Sequence, residues 1–537
     1  MRSAYYLTIK VNAYIYLMYA TEERAFGYAY DEGGYGEQGS GGQIYFAGIL
    51  SIPDIPLVEQ GSAQITLSIF DHDDLITLIM RRVGAFALSH KEATLRRLDY
   101  DDFSRPVFRT VFDGHTDEGI EFKSSSIIDI PMIDKKFTDS IKVPNKVLTT
   151  SLFPNLANSE GLPYTVIYGS DKEVPLRYIN TANYKYMLAG HATKAAPATV
   201  YKSDTIPILT PFAVDLVMEE GIVVVDSGDW TTAHELDPDQ RSYRSVTFVE
   251  NIGDNANLFA DVEGRYDDLQ GTITGTGGAL IELPHHIVTS IYINEEQLTT
   301  SHIDRTKTSA LDTAFSGWKF TKSMVELNDS DVWIDEISAN TYGLLKVVTL
   351  SDGLKYPYKA GEDTDSISFL FEENINILDI EQDIVVGLTS LDNVASEIII
   401  RYDYNYRQGK YNKTLRKQGK LIGDTDYDTT LAATYANYNN YDNTIELECS
   451  WIRDATTVNN LMTWMVRCAQ LQRWTCMLSA AYTEDSTGRR INDLKIGDIA
   501  GITYKKYGWT QKKFQINRMS ITEGGLSVHV ELEETVG

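Results

Sequence analysis

Leu494-Lys495-Ile496-Gly497-Asp498-Ile499-Ala500-Gly501-Ile502-Thr503-Tyr504 is the stretch whose reading decides the fold. Gly497 and Asp498 supply turn chemistry, and Ile499–Tyr504 is rich in β-branched and aromatic residues, so a strand is entered through a turn. Two more strands follow at Phe514–Ile521 and Leu526–Leu532. Working back, Thr444–Ser450 reads as a strand with Ile445, Leu447 and Cys449 on one face. Ser396–Asn405 reads as another, with Ile398, Ile400, Tyr402 and Tyr404 aligned. After the strand Thr444–Ser450, Asp454 caps a helix predicted from Ala455 to about Trp474. Its apolar stripe is Val458, Leu461, Met462, Met465, Cys468 and Ala469. Residues 386–537 thus read as a β-barrel with one packed helix, 455–474.

The beginning of the chain has the same grammar. Gln43–Ser51 and Ala63–Phe70 are strands, the second alternating Ile65, Leu67 and Ile69 with Thr66 and Ser68. Asp71–Asp74 offers a helix start, and Leu75, Ile76, Ile79 and Val83 repeat at helical spacing. Strands return at Val107–Phe112 and Ile120–Phe122. Residues 1–150 therefore read as an N-terminal β-barrel with one helix. Between the ends, 151–300 is a β-rich middle region with strands at Gly221–Asp226 and Ser245–Glu250. Residues 301–385 form a small α/β region, with a helix at Asp331–Tyr342 and a hairpin at Gly343–Lys355 turning at Asp352-Gly353. Ala279–Thr299 is helical in part. The fold class is mainly β with a few helices, multidomain, as 537 residues at about 150 per domain allow.

Composition narrows function. Forty-eight Lys and Arg against 76 Asp and Glu give a net charge of −28, a surface that repels phosphate and disfavours tight duplex binding and anionic lipid. No apolar run of about 18 residues is free of charge, so no membrane insertion is expected. Tyr5–Ala20 carries Lys10 and Asn12 and alternates like a strand, a poor signal peptide. Cys449, Cys468 and Cys476 are odd in number and form no CxxC pair, which argues for reduced core thiols rather than disulfides or a zinc ribbon. Thirty-three Tyr suit a protein with much interface.

Candidate chemistry is sparse. Gly271–Gly278 (GTITGTGG) lacks the spacing and the Lys of a phosphate loop and reads as a tight turn. His285-His286 and His234-Glu235 lack HExxH spacing and a third ligand nearby in sequence, so no metal is expected. The acidic clusters Asp71–Asp74, Glu362–Asp365 and Asp424–Asp428 do not continue as calcium loops and read as solvated. No GxSxG is present, and no residue set fills catalytic roles, so the chain reads as a non-enzyme without catalytic residues, metal or cofactor. One basic island, Arg401–Lys420, holds three Arg and four Lys against Asp403, interleaved with Tyr402, Tyr404, Tyr406 and Tyr411. Stacking on bases is one reading. The reading preferred here is a hairpin whose loop meets an acidic neighbouring subunit.

Several segments together resemble the tail hub, or baseplate hub, proteins of tailed bacteriophages. Leu494–Ile499, Gly508-Trp509, Phe514–Ser520, Gly524-Gly525-Leu526 and Val528–Leu532 follow the order of their last domain. The unit Glu446–Trp474, with Trp451-Ile452-Arg453-Asp454, and the run Leu391–Tyr411 fit the same domain. Upstream, Gly161–Gly169 with Val174-Pro175-Leu176 resembles a further hub segment, as does Asp261–Arg265 with Thr274–Gly277 and Leu280–Pro284. The resemblance implies two tail-tube-like β-barrel domains per chain. It also implies a homotrimeric ring that adapts sixfold to threefold symmetry at the distal tail tip and an acid-lined channel through which genomic DNA slides without specific binding. Implied partners are the distal tail or tail tube protein, the C-terminus of the tape measure protein, and tail fibres or a spike. Assembly would occur in the host bacterial cytoplasm. No fibre-like module follows Leu532 in this reading. The residues expected to bear the fold are Gly497, Asp498, Trp451, Trp464 and the Gly275–Gly278 turn. The rival reading is a receptor- or carbohydrate-binding tail-tip adhesin, favoured by Tyr and Trp content.

Overall fold

The computed structural model describes residues 4–537 apart from 11–15, 21–23, 27–42, 48, 52–54, 60–63, 71–75, 77–87, 89–90, 101–105, 118–119, 125–126, 135–140, 157–158, 210–215, 251–257, 351–353, 374, 378–383, 482–483 and 522–526. It is mainly β, in several sheets with separate cores.

In the N-terminal sheet the alternation of Gln64–Phe70 does what its pattern demands. Ile65, Leu67 and Ile69 are buried, while Thr66 and Phe70 face out. They meet Leu7, Ile9, Leu95, Phe112, Ile130 and Met132 in one core. The strand order begins at Arg24–Phe26 and Gln43–Ala47, passes through Tyr16–Ala20, Ala4–Lys10, Glu92–Tyr100, Pro106–Thr116, Ile127–Asp134 and Gln64–Phe70, and ends at Ile49–Ser51. Gln43–Ala47 and Ile49–Ser51 are one residue apart in the chain yet stand near opposite ends of that order, so the sheet curls back toward itself. The helix expected over Leu75–Val83 lies outside the described residues save for Ile76, which is helical and buried.

Two four-stranded sheets follow. Ser170–Pro175, Leu258–Glu263, Thr199–Leu209 and Leu216–Val224 make one; Arg177–Asn180, Lys185–Ala189, Ser242–Phe248 and Trp230–Leu236 make the other. Val174, Tyr186, Leu188, Val200, Val246 and Val262 share one core, and Tyr178 stacks on Tyr186 at 4.3 Å. The strand expected at Gly221–Asp226 is the end of Leu216–Val224, and that at Ser245–Glu250 starts three residues earlier, at Ser242.

Helices Pro284–Ser290, Ser330–Asn340 and Ala455–Cys468 and the sheet formed by Glu397–Asn405, Lys410–Gln418 and Thr444–Cys449 build the largest core. The predicted capping by Asp454 is present: its carboxylate accepts from the N–H groups of Thr456 and Thr457. The helix ends at Cys468, however, six residues short of Trp474. Trp474–Ala481 is a strand instead, paired with Ile384–Leu388 and Ser527–Glu534. Cross-strand pairing on both edges outweighs the continuation of the helical stripe.

The last sheet runs Lys355–Lys359, Leu345–Leu350, Ile55–Glu59, Trp509–Ile521, Ser527–Glu534, Trp474–Ala481, Ile384–Leu388, with Ile499–Tyr504 between Trp509–Ile521 and a parallel Phe369–Glu372. Its strand Ile55–Glu59 comes from the N-terminal region. The expected hairpin is Leu345–Leu350 with Lys355–Lys359; its turn at Asp352-Gly353 lies outside the described residues, as do Gly524, Gly525 and Leu526.

Candidate functional site

Trp451-Ile452-Arg453-Asp454 joins several distant parts of the chain. Each residue has a separate task. Trp451 is wholly buried; its N–H donates to Asn340 Oδ1 and its carbonyl accepts from Thr321 N–H. The ring sits 6.4 Å from both Phe320 and Trp333. Ile452 accepts from Asp403 N–H. Arg453 reaches Asp171 Oδ1 at 2.6 Å and Asp403 Oδ1 at 3.2 Å, with its guanidinium 5.5 Å from the Tyr406 ring. Ser323 Oγ donates to the other oxygen of Asp171. Asp454 caps the helix. One turn thus ties the middle sheets, the hairpin and the helix together.

Beside it Lys322 is almost buried, yet its charge is satisfied. Nζ contacts Glu336 Oε1 at 3.0 Å and Ser450 Oγ at 2.8 Å, and it lies 5.7–5.9 Å from the rings of Trp333, Trp451 and Tyr404. Such a box stabilises an ammonium that burial alone would disfavour. Nothing in the sequence around Lys322 announces it. Trp464, the other expected core residue, is buried, and its indole N–H donates to Tyr342 O at 3.2 Å.

The resemblance-bearing segments converge. Gly169 N–H donates to Ile281 O, Gly264 N–H to Gly169 O, Arg265 N–H to Ile167 O and Ile281 N–H to Arg265 O. Segments 161–169, 261–265 and 280–284 therefore meet in one backbone network. Gly169 has φ +64°, and a Cβ there would stand 2.2 Å from Phe320 O, so no larger residue fits. At the other end Gly497 has φ +81° and its N–H donates to Ile516 O. Asp498 accepts from Lys495 N–H and from Lys307 Nζ at 2.6 Å, and Lys495 Nζ reaches Asp304 at 2.9 Å. These two crossed ion pairs fasten the turn to the helix Arg305–Ser309. Burial opposes ionisation of Asp304, but hydrogen bonds from Lys495 and from Lys307 N–H outweigh it and hold the carboxyl below its ordinary range.

In the Gly275–Gly278 turn, Gly275 N–H donates to Gly271 O, Thr276 N–H to the Thr274 hydroxyl and Gly278 N–H to Asp268 O, so these amides are engaged within the loop. The buried Asp267 carboxylate accepts from Ile273 N–H, from Thr274 N–H at 2.6 Å and from the Thr274 hydroxyl, taking up the amides such a loop would need. The described acidic runs are exposed or half-exposed, and part of their charge is also paired. Glu362 contacts Lys359 and Arg467, Asp365 contacts Lys359, and Asp428 caps the helix Thr429–Asn437. Asp71–Asp74 lies outside the described residues.

The basic island is a hairpin, Glu397–Asn405 paired with Lys410–Gln418, as expected. Most of its cations have counter-charges within the same chain. Arg401 meets Glu446 and Glu448, Arg407 meets Glu173, Lys413 meets Asp403, Arg416 meets Glu397, and Lys420 meets Glu397 and Asp442. The cause is register: Thr444–Cys449 lies parallel to Glu397–Asn405, which sets Glu448 opposite Arg401. Tyr406 is half-buried with its hydroxyl accepting from Ser323 N–H at 2.7 Å, and Tyr404 packs edge-on against Tyr406 and Tyr411, so this tyrosine row is engaged within the protein.

Among the described residues, no third metal-ligating side chain joins His234 and Glu235. Glu235 is held by Lys185, Tyr243 and Ser245. His285 and His286 do acquire a third group that their sequence neighbourhood lacks: both Nε2 atoms lie 2.9 Å from Asp312 Oδ1.

No family model and no curated protein matches the chain. Among solved structures it is similar to the 43 kDa tail protein of prophage MuSo2 from Shewanella oneidensis, at 8% identity over 98% of each chain, with a TM-score of 0.39. It is similar to a chain of the phage P2 baseplate in its activated conformation with Ca, at 10% identity over 72% of this chain and 97% of that one, TM-score 0.21. It is also similar to a chain of a native gene transfer agent particle virion, at 12% identity over 47% and 80%, TM-score 0.17. These structural neighbours are components of phage tails, baseplates and virions.

Proposed function

We propose that this chain is a structural tail hub protein of a tailed phage: a homotrimeric ring at the distal end of the tail tube that adapts sixfold to threefold symmetry, anchors tail-tip or fibre components and surrounds the DNA exit channel. The observation that carries the reading is the convergence of the resembling segments. Residues 161–169, 261–265 and 280–284 share one hydrogen-bond network, 451–454 ties it to the C-terminal helix, and 494–498 forms a braced strand entry. Motifs that bear a fold are expected to sit at such junctions, not scattered over a surface.

Charge supports the mechanical part of the role. A chain at −28, with Arg401, Arg407, Lys413, Arg416 and Lys420 already facing its own carboxylates, offers passing DNA repulsion rather than adhesion. The division into regions 1–150, 151–300, 301–385 and 386–537, with tube-like units at the two ends, belongs to the same proposal. So do the partners: the tail tube protein, the tape measure C-terminus and a fibre or spike. Labelled antibody on intact virions, imaged by negative stain, tests the location. Signal confined to the tail tip supports the proposal, and signal along the tube or on the head refutes it.

A further inference from the structure

We propose that His285, His286 and Asp312 form a binding site for one borderline divalent transition ion of the Zn2+ class, independent of the hub reading. The donor atoms of the three side chains lie within 4.8 Å of one another. Both imidazole Nε2 atoms are 2.9 Å from the same carboxylate oxygen, and the rings are 4.2 Å apart, tilted by 53°. Consecutive residues inside a helix point about 100° apart, which is why the paired histidines carry no helical ligand pattern in sequence. Here they stand at the first turn of Pro284–Ser290, and both nitrogens converge on a residue of the short helix Leu311–Ala314.

The surroundings suit a closed floor and an open mouth. His285 is fully buried with Phe315 5.5 Å from its ring, and His286 is nearly buried. Asp312 is 47% exposed, which leaves a coordination position for water. A tetrahedral ion with bonds of about 2.0–2.1 Å needs ligand edges a few tenths of an ångström longer than 2.9 Å, and the exposed Asp312 can retreat by that much. Two imidazoles exclude Ca2+ and Mg2+, which take oxygen ligands. On binding, each ring presents its Nε2 lone pair and carries its proton on Nδ1. His285 Nδ1 has no partner in the described chain, so that ligand lacks an outer brace and the affinity is moderate. The ion would clamp the segment carrying Asp312 to the helix Pro284–Ser290.

The test uses the full chain stripped with chelator and titrated with Co2+, then back-titrated with Zn2+. The expected result is one equivalent of Co2+ with the visible d–d absorption of a tetrahedral site, bleached by Zn2+, and no response to Ca2+ or Mg2+. Asp312→Ala removes an exposed group and keeps the fold; it should weaken Zn2+ binding by more than about tenfold, as should His286→Gln where circular dichroism shows it folded. Absence of a tetrahedral Co2+ spectrum overturns the proposal. So does an affinity left unchanged by Asp312→Ala, which would put the ion at another histidine.

Discussion

Replacing Gly497 by Ala puts a methyl group into the Tyr358 ring. The new Cβ would stand 2.4 Å from Cδ2 and 2.8 Å from Cγ, and Tyr358 is buried and cannot swing away. The backbone at φ +81° adds the left-handed penalty of about 1–2 kcal/mol. Overpacking a filled site costs about 1–3 kcal/mol more. Gly497→Ala should therefore lose about 2–5 kcal/mol. Gly488→Ala is the matched control: φ is +80°, but nothing lies within 4 Å of its Cβ, so only the backbone penalty applies. Because a multidomain chain need not unfold in one step, the assay is native-state hydrogen exchange of the amides at this turn. Gly497 N–H to Ile516 O and Ile516 N–H to Asp498 O are the bonds to follow. Equal loss of protection in the two variants would refute the claim that the Tyr358 contact fixes this strand entry.

Arg453→Ala leaves Asp171, whose side chain has no solvent exposure, without its cation and should destabilise by about 3–5 kcal/mol; adding Asp171→Asn should recover part of it in a double-mutant cycle read by native-state hydrogen exchange of the amides around Asp171. Lys307→Met breaks one part-exposed ion pair with Asp498 and should cost about 1 kcal/mol or less, shrinking as salt rises. His191 is buried, accepts from Ile167 N–H and donates from Nδ1 to Ala192 O; burial, with Arg265 nearby, pulls its pKa down to about 3. The folded state keeps it neutral while the unfolded chain takes a proton below about pH 6.5, so stability is complete above that pH and falls as pH drops toward 3. At pH 5 the loss is about 2 kcal/mol, and a melting-temperature profile that is flat from pH 7 to 5, or the same in His191→Gln, would contradict it. Burial pushes Cys449, Cys468 and Cys476 up to about 12, so the native protein should not react with a thiol reagent at pH 8, and all three should react on unfolding.

What the sequence made legible was local. Alternation in Gln64–Phe70 and in Ile398, Ile400 and Tyr402, the cap at Asp454 and the burial of Trp451 and Trp464 all follow from neighbours within a few residues, and the structure has each of them; the second alternation breaks at Asp403, where φ is +64°, so Tyr404 is only half-buried. What it hid was non-local pairing. Trp474 continued a helical stripe, but its segment found strand partners about 90 residues upstream and 55 downstream. Arg401 read as unmatched because its carboxylates, Glu446 and Glu448, lie on a strand beyond the hairpin. Lys322 gave no sign of its aromatic box for the same reason, nor did His285 and His286 of Asp312.

The most direct measurement is a reconstruction of the intact tail tip with the chain traced in it. The hub account predicts three copies in a closed ring around the tail axis, with the residues 1–150 and 386–537 of each alternating around the channel. Copies repeating along the tube, a place on the head, or a subunit standing outside any threefold ring would contradict it.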